Sequence, residues 1–220
     1  MFAKKLLRVA VGVGLAVLMS ACALTEDRVD LVYQSADTAA PVSGAESVTV
    51  KVAVEDVRPA NRDKVSVKKN GYGMEMAAIR ANQDVPTLVR QAVEQELRGR
   101  GFTIGDGPVF AVIEVARFYA DYKTGFWSSD NVSDIQLNVQ VRDTSGHMYY
   151  GKGISGIGTT EGVMIMDGGP VKKSLETGLA VALRNLMQDP FFVQALIEAQ
   201  EAVARAAAPA PSLPVGVPAS

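Results

Sequence analysis

The segment 132–142 most constrains the fold, because apolar and polar side chains alternate along it without interruption. The apolar set is Ile135, Leu137, Val139 and Val141, and the polar set is Asp134, Gln136, Asn138, Gln140 and Arg142. A period of two places these sets on opposite faces of a β-strand. One face therefore belongs to a hydrophobic core and the other faces water, which is typical of an antiparallel sheet covered on one side.

Four other segments have the composition of strands or hairpins. They are 47–57, with Val48, Val50, Val52 and Val54 on one face; 63–80, a hairpin with Asn70-Gly71 at its turn; 108–122, a long apolar run; and 147–158. The turn residues 143–146 connect 132–142 to 147–158. The last three strands are therefore predicted to form an antiparallel meander.

Three segments have the apolar period of amphipathic helices. They are 84–100, 170–187 and, after Asp189-Pro190, a stretch from 190 to about 204. Asp84 is the predicted cap of the first helix, and Pro86 is tolerated in its first turn. At its other end, Arg98 and Arg100 are expected to be solvated, where the helix dipole favours cations.

This order of elements predicts the fold class. An α+β fold is favoured by the order of a strand, a hairpin, a helix, a three-strand meander and a helix. We expect a two-layer sandwich in which a mixed, mostly antiparallel sheet carries two main helices packed on one face.

Residues 1–22 have the three-part layout of a secretory signal peptide. Lys4, Lys5 and Arg8 precede a short apolar stretch, 9–18, and small residues follow. A membrane-spanning helix needs roughly 20 apolar residues. This stretch is therefore too short to span a bilayer.

The end of this segment, 18–22 (LMSAC), resembles the lipobox of bacterial lipoproteins. That resemblance implies cleavage between Ala21 and Cys22, diacylglycerol on the Cys22 thiol, and an acyl chain such as palmitate on the new amino group. Ala23 after the cysteine implies sorting to the outer membrane, on its periplasmic face. The alternative is an ordinary secretory signal that happens to contain a cysteine.

The chain is therefore expected to have four parts. They are a lipoprotein signal peptide (1–21), a lipidated flexible tether (22–46), a globular α+β domain (47–204) and a disordered Ala/Pro-rich tail (205–220). Removing 1–21 changes the net charge from -2 to -5, because three basic residues leave with it. A mildly acidic chain without a basic run is a poor candidate for nucleic-acid binding.

Two longer phrases resemble a known family. The chain resembles the YajG family of uncharacterised Gram-negative outer-membrane lipoproteins. The resemblance lies in the lipobox and in two segments, LVRQAVEQELRGRGF (88–102) and GPVFAVIEVARFYADY (107–122). The Ala/Pro tail from 206 departs from that family. The resemblance implies no enzyme activity and brings no catalytic residues.

Few residues here favour catalysis or metal binding. His147 is the only histidine and Cys22 the only cysteine, so zinc-type sites and internal disulfides are excluded. No cofactor, metal or small-molecule substrate is predicted. His147 is expected in an exposed turn, and Asp121, Asp130 and Asp134 are expected to be solvated carboxylates rather than a divalent-ion site.

Two further features have competing interpretations. Glu114 is the only carboxylate in an unusual position, because it interrupts an apolar strand. A peptidoglycan hydrolase needs a pair of carboxylates, so Glu114 is the candidate residue for that activity. The glycines of 151–158 lack the Gly-Lys-Ser/Thr of a phosphate loop, so bulges or close backbone packing explain them better.

Two apolar loops are candidates for surface contacts. Phe126 and Trp127 lie between two strands, and either contact a partner or a lipid headgroup region or fold back over the sheet edge. The run 163–166 (VMIM) either binds adaptably through methionine or packs on the core.

The first functional hypothesis is therefore a non-enzymatic outer-membrane lipoprotein that binds a protein or another cell-envelope component. The second is an accessory factor in lipid or lipopolysaccharide transport, which predicts an apolar groove between sheet and helices. The third is a peptidoglycan-related factor or enzyme.

Overall fold

The computed structural model describes residues 25–35, 40–70, 72–125 and 128–208. The strands are β1 (Asp27–Val29), β2 (Thr49–Asp56), β3 (Ser66–Lys69), β4 (Glu75–Ala81), β5 (Thr103–Ile104), β6 (Val109–Thr124), β7 (Ser129–Asp143) and β8 (Met148–Val163). The helices are α1 (Val85–Gly99), α2 (Gly168–Met187) and α3 (Pro190–Ala207), and a short 3-10 turn spans Ala45–Ser47. The predicted α+β class is confirmed.

The larger sheet contains the predicted meander. Its strand order is β5-β2-β6-β7-β8, with β6, β7 and β8 antiparallel and β2 parallel to both β5 and β6. Along β7, Ile135 and Val139 are fully buried, whereas Gln136 and Asn138 are exposed. The helices therefore cover one face and water covers the other.

A second, smaller sheet contains the predicted 63–80 hairpin, although its separation from the larger sheet was not predicted. It has the order β1-β4-β3, with β1 parallel and β3 antiparallel to β4. A bulge at Ala116 interrupts the pairing of β6 with β7, and bulges bend a strand. Beyond the bulge, the N–H of Ala120 donates to the Val65 carbonyl at 2.9 Å, so the second half of β6 lies beside the segment that leads into β3.

Helix α2 lies very close to β8 because the contacting residues are glycines. A Cβ on Gly158 would lie 2.0 Å from the Ser174 carbonyl oxygen, and one on Gly156 would lie 2.2 Å from that of Gly178. The hydroxyl of Ser133 on β7 donates to the same Ser174 carbonyl at 2.7 Å. Close backbone packing is therefore the reason for the glycines of 151–158.

Helix α1 begins and packs as predicted but ends differently. The Asp84 carboxylate accepts the Thr87 N–H at 2.9 Å, which caps the helix. Arg100, expected to be solvated, is instead buried and forms a 3.0 Å ion pair with buried Glu96. The hydroxyl of Tyr33 also donates to Glu96 at 2.5 Å, so an N-terminal residue completes this buried group.

The N-terminal segment also differs from the flexible tether expected for 22–46. Within residues 25–35, β1 pairs with β4 and Leu31 is 4% exposed. The N–H of Val32 donates to Glu176 on α2 at 2.8 Å. Ala45 is fully buried, so the later part of the expected tether is also part of the domain. Only residues 22–24 and 36–39 of that range lie outside the described residues.

The C-terminal boundary also shifts slightly. Helix α3 extends to Ala207, whereas the tail was expected to begin at 205. The remainder of the expected tail, 209–220, and the expected signal peptide, 1–21, lie outside the described residues.

Candidate interaction surface

Three loops meet at one end of the two sheets, and we call this the loop end. They are the β3–β4 hairpin tip (70 and 72–74), the β6–β7 turn (125 and 128) and the β8–α2 connection (164–167), each given by its described residues. Strand register brings the last two together, because Ser129 pairs with both Thr124 and Val163. The hairpin tip joins them because Lys69, which precedes it, donates to Asp121 on β6 at 2.6 Å.

The loop end exposes large apolar side chains. Tyr72 is 92% exposed, Met74 59%, Met164 83% and Ile165 72%. Single exposed apolar residues are common on proteins, whereas a group of them at one end is a candidate interaction site. Of the two interpretations of 163–166, Val163 and Met166 pack on the core, while Met164 and Ile165 do not.

Local hydrogen bonds hold two of these loops in shape. In the hairpin tip, the Asn70 side-chain oxygen accepts the N–H groups of Tyr72 and Met74, both at 3.0 Å. In the β8–α2 connection, the hydroxyl of Tyr122 donates to the Asp167 carbonyl at 2.5 Å. Burial raises the pKa of Tyr122, so this hydroxyl keeps its proton at neutral pH.

Strand β1 enters the domain near the loop end through Asp27. One carboxylate oxygen of Asp27 pairs with Lys68 on β3 at 2.7 Å, and the other accepts the Gly168 N–H at 3.0 Å. Gly168 is the first residue of α2 and follows the β8–α2 connection directly. The described N-terminal residues therefore start beside two of the three loops.

A second surface lies at the opposite end, along α3. We call it the α3 groove; it has a volume of about 560 Å³ and is lined by Val42, Pro190, Val193, Gln194, Ile197, Glu198 and Glu201. Phe191, next to it, is 70% exposed. Helix α2 separates α3 from the loop end by 20 residues, or roughly 30 Å.

The start of α3 is fixed by Asp189. Its carboxylate accepts the Phe191 N–H at 3.0 Å, the Tyr150 hydroxyl at 3.0 Å and the Lys152 ammonium at 2.8 Å. These hydrogen bonds, that of Lys152 foremost, lower the pKa of Asp189. The carboxylate is therefore ionised at neutral pH and caps the helix.

Three residues singled out in the sequence lie outside the described residues. They are Cys22, Phe126 and Trp127. Lipidation of Cys22 and surface contact by Phe126 and Trp127 therefore stay predictions. The residues on either side of the aromatic pair, Gly125 and Ser128, are hydrogen bonded to each other at 2.9 Å.

The structure does not bring the three aspartates together as a metal site. Asp121 pairs with Lys69, Asp134 pairs with Arg117 at 2.8 Å, and Asp130 accepts the Gly162 N–H at 3.1 Å. Within the described ranges, no three His, Cys, Asp or Glu side chains are grouped closely enough to hold a metal ion.

His147 and Glu114 lie apart from each other. His147 is exposed in the β7–β8 turn, with its ring edge-on to Tyr149 at 4.7 Å between centroids. Glu114 lies on the open face of the sheet, where it accepts the Asn138 amide at 3.3 Å. Glu55 is its register partner on β2, so two carboxylates do occupy neighbouring strands there.

Sequence reasoning missed Tyr72, Met74 and the N-terminal segment. No periodic pattern in the sequence reveals whether a side chain at a hairpin tip is exposed. For β1, Val29 and Leu31 are buried two positions apart, which is a faint strand pattern in a stretch otherwise polar.

Comparison with known families identifies the chain. The model of an uncharacterised lipoprotein family, Lipoprotein_16, matches residues 36–197. The chain belongs to this family. The YajG resemblance is thereby confirmed, and the protein is a lipoprotein of unknown function. Comparison of the lipoprotein with curated proteins gives no match.

A solved structure shares the fold of the lipoprotein. A Xanthomonas campestris protein of the family DUF330 is 13% identical with a TM-score of 0.56, and the match covers 81% of this chain and 99% of that one. A minor lipoprotein from Acinetobacter baumannii is 9% identical with a TM-score of 0.35, over 73% of this chain and 95% of that one. The likeness to the Xanthomonas protein is one of fold. In the described part of the lipoprotein, no helix is both long and apolar enough to cross a membrane.

Proposed function

We propose that the protein is a non-enzymatic outer-membrane lipoprotein, anchored by lipid on Cys22 at the periplasmic face, whose domain binds another protein or envelope component through the α3 groove. The supporting observation is the position of the two ends of the domain. The N-terminal segment packs near the loop end, and the α3 groove lies roughly 30 Å away along α2. A lipid on Cys22 therefore leaves the groove free to meet a partner.

The chemistry of the groove fits a protein partner. Val42, Val193 and Ile197 supply apolar surface, and Glu198 and Glu201 supply negative charge at one side. An apolar centre with a charged rim is typical of protein interfaces. We expect the partner to present an apolar segment flanked by basic residues.

The anchor is tested by acylation. Metabolic labelling with palmitate, followed by mass spectrometry of the N-terminal peptide, should show a triacylated Cys22 in the wild type and no label in Cys22→Ala. The Cys22→Ala protein should leave the membrane fraction. An unlabelled wild type, or a Cys22→Ala form equally membrane-bound, contradicts the anchor.

The groove is tested by photo-crosslinking in living cells. A photoreactive residue replaces Ile197 in the groove or, as a control, Ile157 on the open sheet face, which is 52% exposed. We expect one envelope species to cross-link from position 197 and not from 157. Val193→Glu should reduce that product several-fold. Equal products from both positions, or none from 197, contradict binding through the groove.

The two alternatives make different predictions. Lipid transport requires a groove between sheet and helices, but α2 approaches β8 too closely to leave one at Gly156 and Gly158. A peptidoglycan enzyme requires activity on sacculi that is lost in Glu114→Gln and in Glu55→Gln. We expect no such activity.

A further inference from the structure

The loop end has the composition of a surface that contacts a bilayer. Tyr72, Met74, Met164 and Ile165 are each more than half exposed and come from two separate loops. Lys123, near the end of β6, is exposed beside them and carries the charge that lipid phosphates attract. Glu75 and Glu161 are also exposed at this end, so the apolar side chains rather than net charge distinguish it.

The chain geometry places the proposed lipid near the same end. Cys22 precedes Asp27 by five residues, which span at most about 17 Å. Asp27 is itself bound to Lys68, two residues before the hairpin tip, and to Gly168, directly after the β8–α2 connection. The lipid attachment point therefore cannot lie far from either loop.

Strand direction supports the same placement. Strand β1 is parallel to β4, and Asp27 is in register with Ile79. Strand β4 begins at the hairpin tip, and Met74 precedes Ile79 by the same five residues that separate Cys22 from Asp27. The backbone of β1, followed toward its N-terminus, thus points toward the exposed hairpin tip.

We propose that the loop end lies on the membrane surface, with Tyr72, Met74, Met164 and Ile165 in the lipid headgroup and upper acyl region. This inference rests on the proposed lipid anchor at Cys22. A triacylated cysteine holds the protein on the bilayer without help, since each buried CH₂ adds to its affinity. The loops therefore fix the orientation of the domain and contribute little to membrane retention.

The test measures depth in the bilayer at the two ends of one strand. Met148 and Met164 are both exposed. Met148 is the first residue of the 16-residue strand β8 and Met164 directly follows its last residue, so the strand separates them by roughly 50 Å. The full lipidated chain carrying Met164→Cys or Met148→Cys is labelled with an environment-sensitive fluorophore. The native thiol of Cys22 is occupied by lipid, so the introduced cysteine alone reacts.

The proteins are reconstituted into vesicles of phosphatidylethanolamine and phosphatidylglycerol at 3:1, with and without brominated acyl chains. We expect brominated lipid to quench the label at position 164 at least threefold more than the label at 148. A double variant, Met164→Ser with Ile165→Ser, should still float with vesicles but should lose most of the quenching of a label at Met74→Cys. Both replaced side chains are exposed, so the fold should survive.

The outcomes separate this inference from the anchor. If the protein is acylated but the labels at 164 and 148 are both unquenched, the loop end does not face the bilayer. The lipid anchor is then not contradicted. Quenching stronger at 148 overturns the orientation in the same way. Protein that carries no acyl group by mass spectrometry overturns the anchor, and the inference with it.

Discussion

The carboxylate of Asp27 accepts the backbone N–H of Gly168 at 3.0 Å, between residues 141 positions apart. Its second oxygen pairs with Lys68 at 2.7 Å. One side chain thus connects the first strand, the small sheet and the first residue of α2. The N-terminal segment is consequently part of the folded domain and not a spacer in front of it.

Replacement of Asp27 by alanine should lower the free energy of unfolding by about 2 kcal/mol, because two partly buried hydrogen bonds are lost together. Amide hydrogen exchange at Asn82, whose N–H donates to the Val29 carbonyl at 3.0 Å, should accelerate as β1 detaches from β4. Asp30→Ala is the control: Asp30 is exposed and accepts the Asn82 side-chain amide, so its loss should cost less than about 0.5 kcal/mol. Urea unfolding gives both values, and equal costs would contradict the role of Asp27.

Gly158→Ala should cost about 3 kcal/mol or more, because the added Cβ would lie 2.0 Å from the Ser174 carbonyl oxygen and must displace α2. Gly153→Ala on the same strand is the matched control, since the nearest atom to its Cβ would be the Asn138 side-chain oxygen at 3.8 Å. It should change stability by no more than about 0.5 kcal/mol. Thermal unfolding of the two variants separates them; a tolerated Gly158→Ala would refute the close packing.

Asp143 should make the stability of the protein depend on pH in acid. The Ser145 hydroxyl, the Tyr149 hydroxyl and the His147 N–H all donate to its carboxylate, which lowers the pKa of Asp143 to about 2. A lowered pKa stabilises the fold above the unfolded pKa of about 3.9, and the contribution disappears as pH falls through about 2. The stability difference between wild type and Asp143→Asn should thus be constant above pH 4 and shrink between about pH 4 and 2.

Urea unfolding at several pH values measures that difference. Ser145→Ala is the control, because the Ser145 hydroxyl is the largest cause of the shift. In that variant the decline should begin near the same pH, which the unfolded state sets, but should end at a higher pH and so span a narrower range. A difference independent of pH would show that the Asp143 carboxylate has its ordinary pKa.

Asp189→Ala should lower stability by about 2 kcal/mol, because α3 loses its cap and the Tyr150 hydroxyl loses its acceptor. Asp189→Ser should recover part of this loss, since serine also caps helices. Lys152→Ala should cost less than about 0.5 kcal/mol, because the Lys152 side chain is 58% exposed. Helical circular dichroism during urea unfolding reports these changes; a costly Lys152→Ala would mean that the ion pair, not the cap, fixes α3.

The parts of the fold that were predicted correctly are those with local patterns. The alternation of Ile135 to Val141 identified a half-buried strand, and Asp84 before Val85 identified the start of α1, because each pattern reflects contacts close in sequence. The 63–80 hairpin of the small sheet was predicted, but its third strand, β1, was missed because that pairing is distant in sequence: Asp27 meets Ile79. Arg100 was misplaced for a similar reason, since the Tyr33 hydroxyl helps to bury its partner Glu96.

The interaction surface was predicted only in part. Met164 and Ile165 stand in an apolar run that the sequence displays, whereas Tyr72 and Met74 occupy a hairpin whose tip could have been buried or exposed. Their common location depends on the register of β6, β7 and β8 and on the Lys69–Asp121 ion pair. Composition contains no information of that kind.

The parallel pairing of β1 with β4 determines how the domain responds to mechanical force. Tension on the N-terminus acts along β1, so the backbone hydrogen bonds to β4 are loaded in shear and must break together. Tension on Ala207, at the end of α3, can instead unwind that helix one turn at a time. If the lipid proposed on Cys22 anchors the protein, tension on the anchor would therefore load the pairing of β1 with β4 rather than α3.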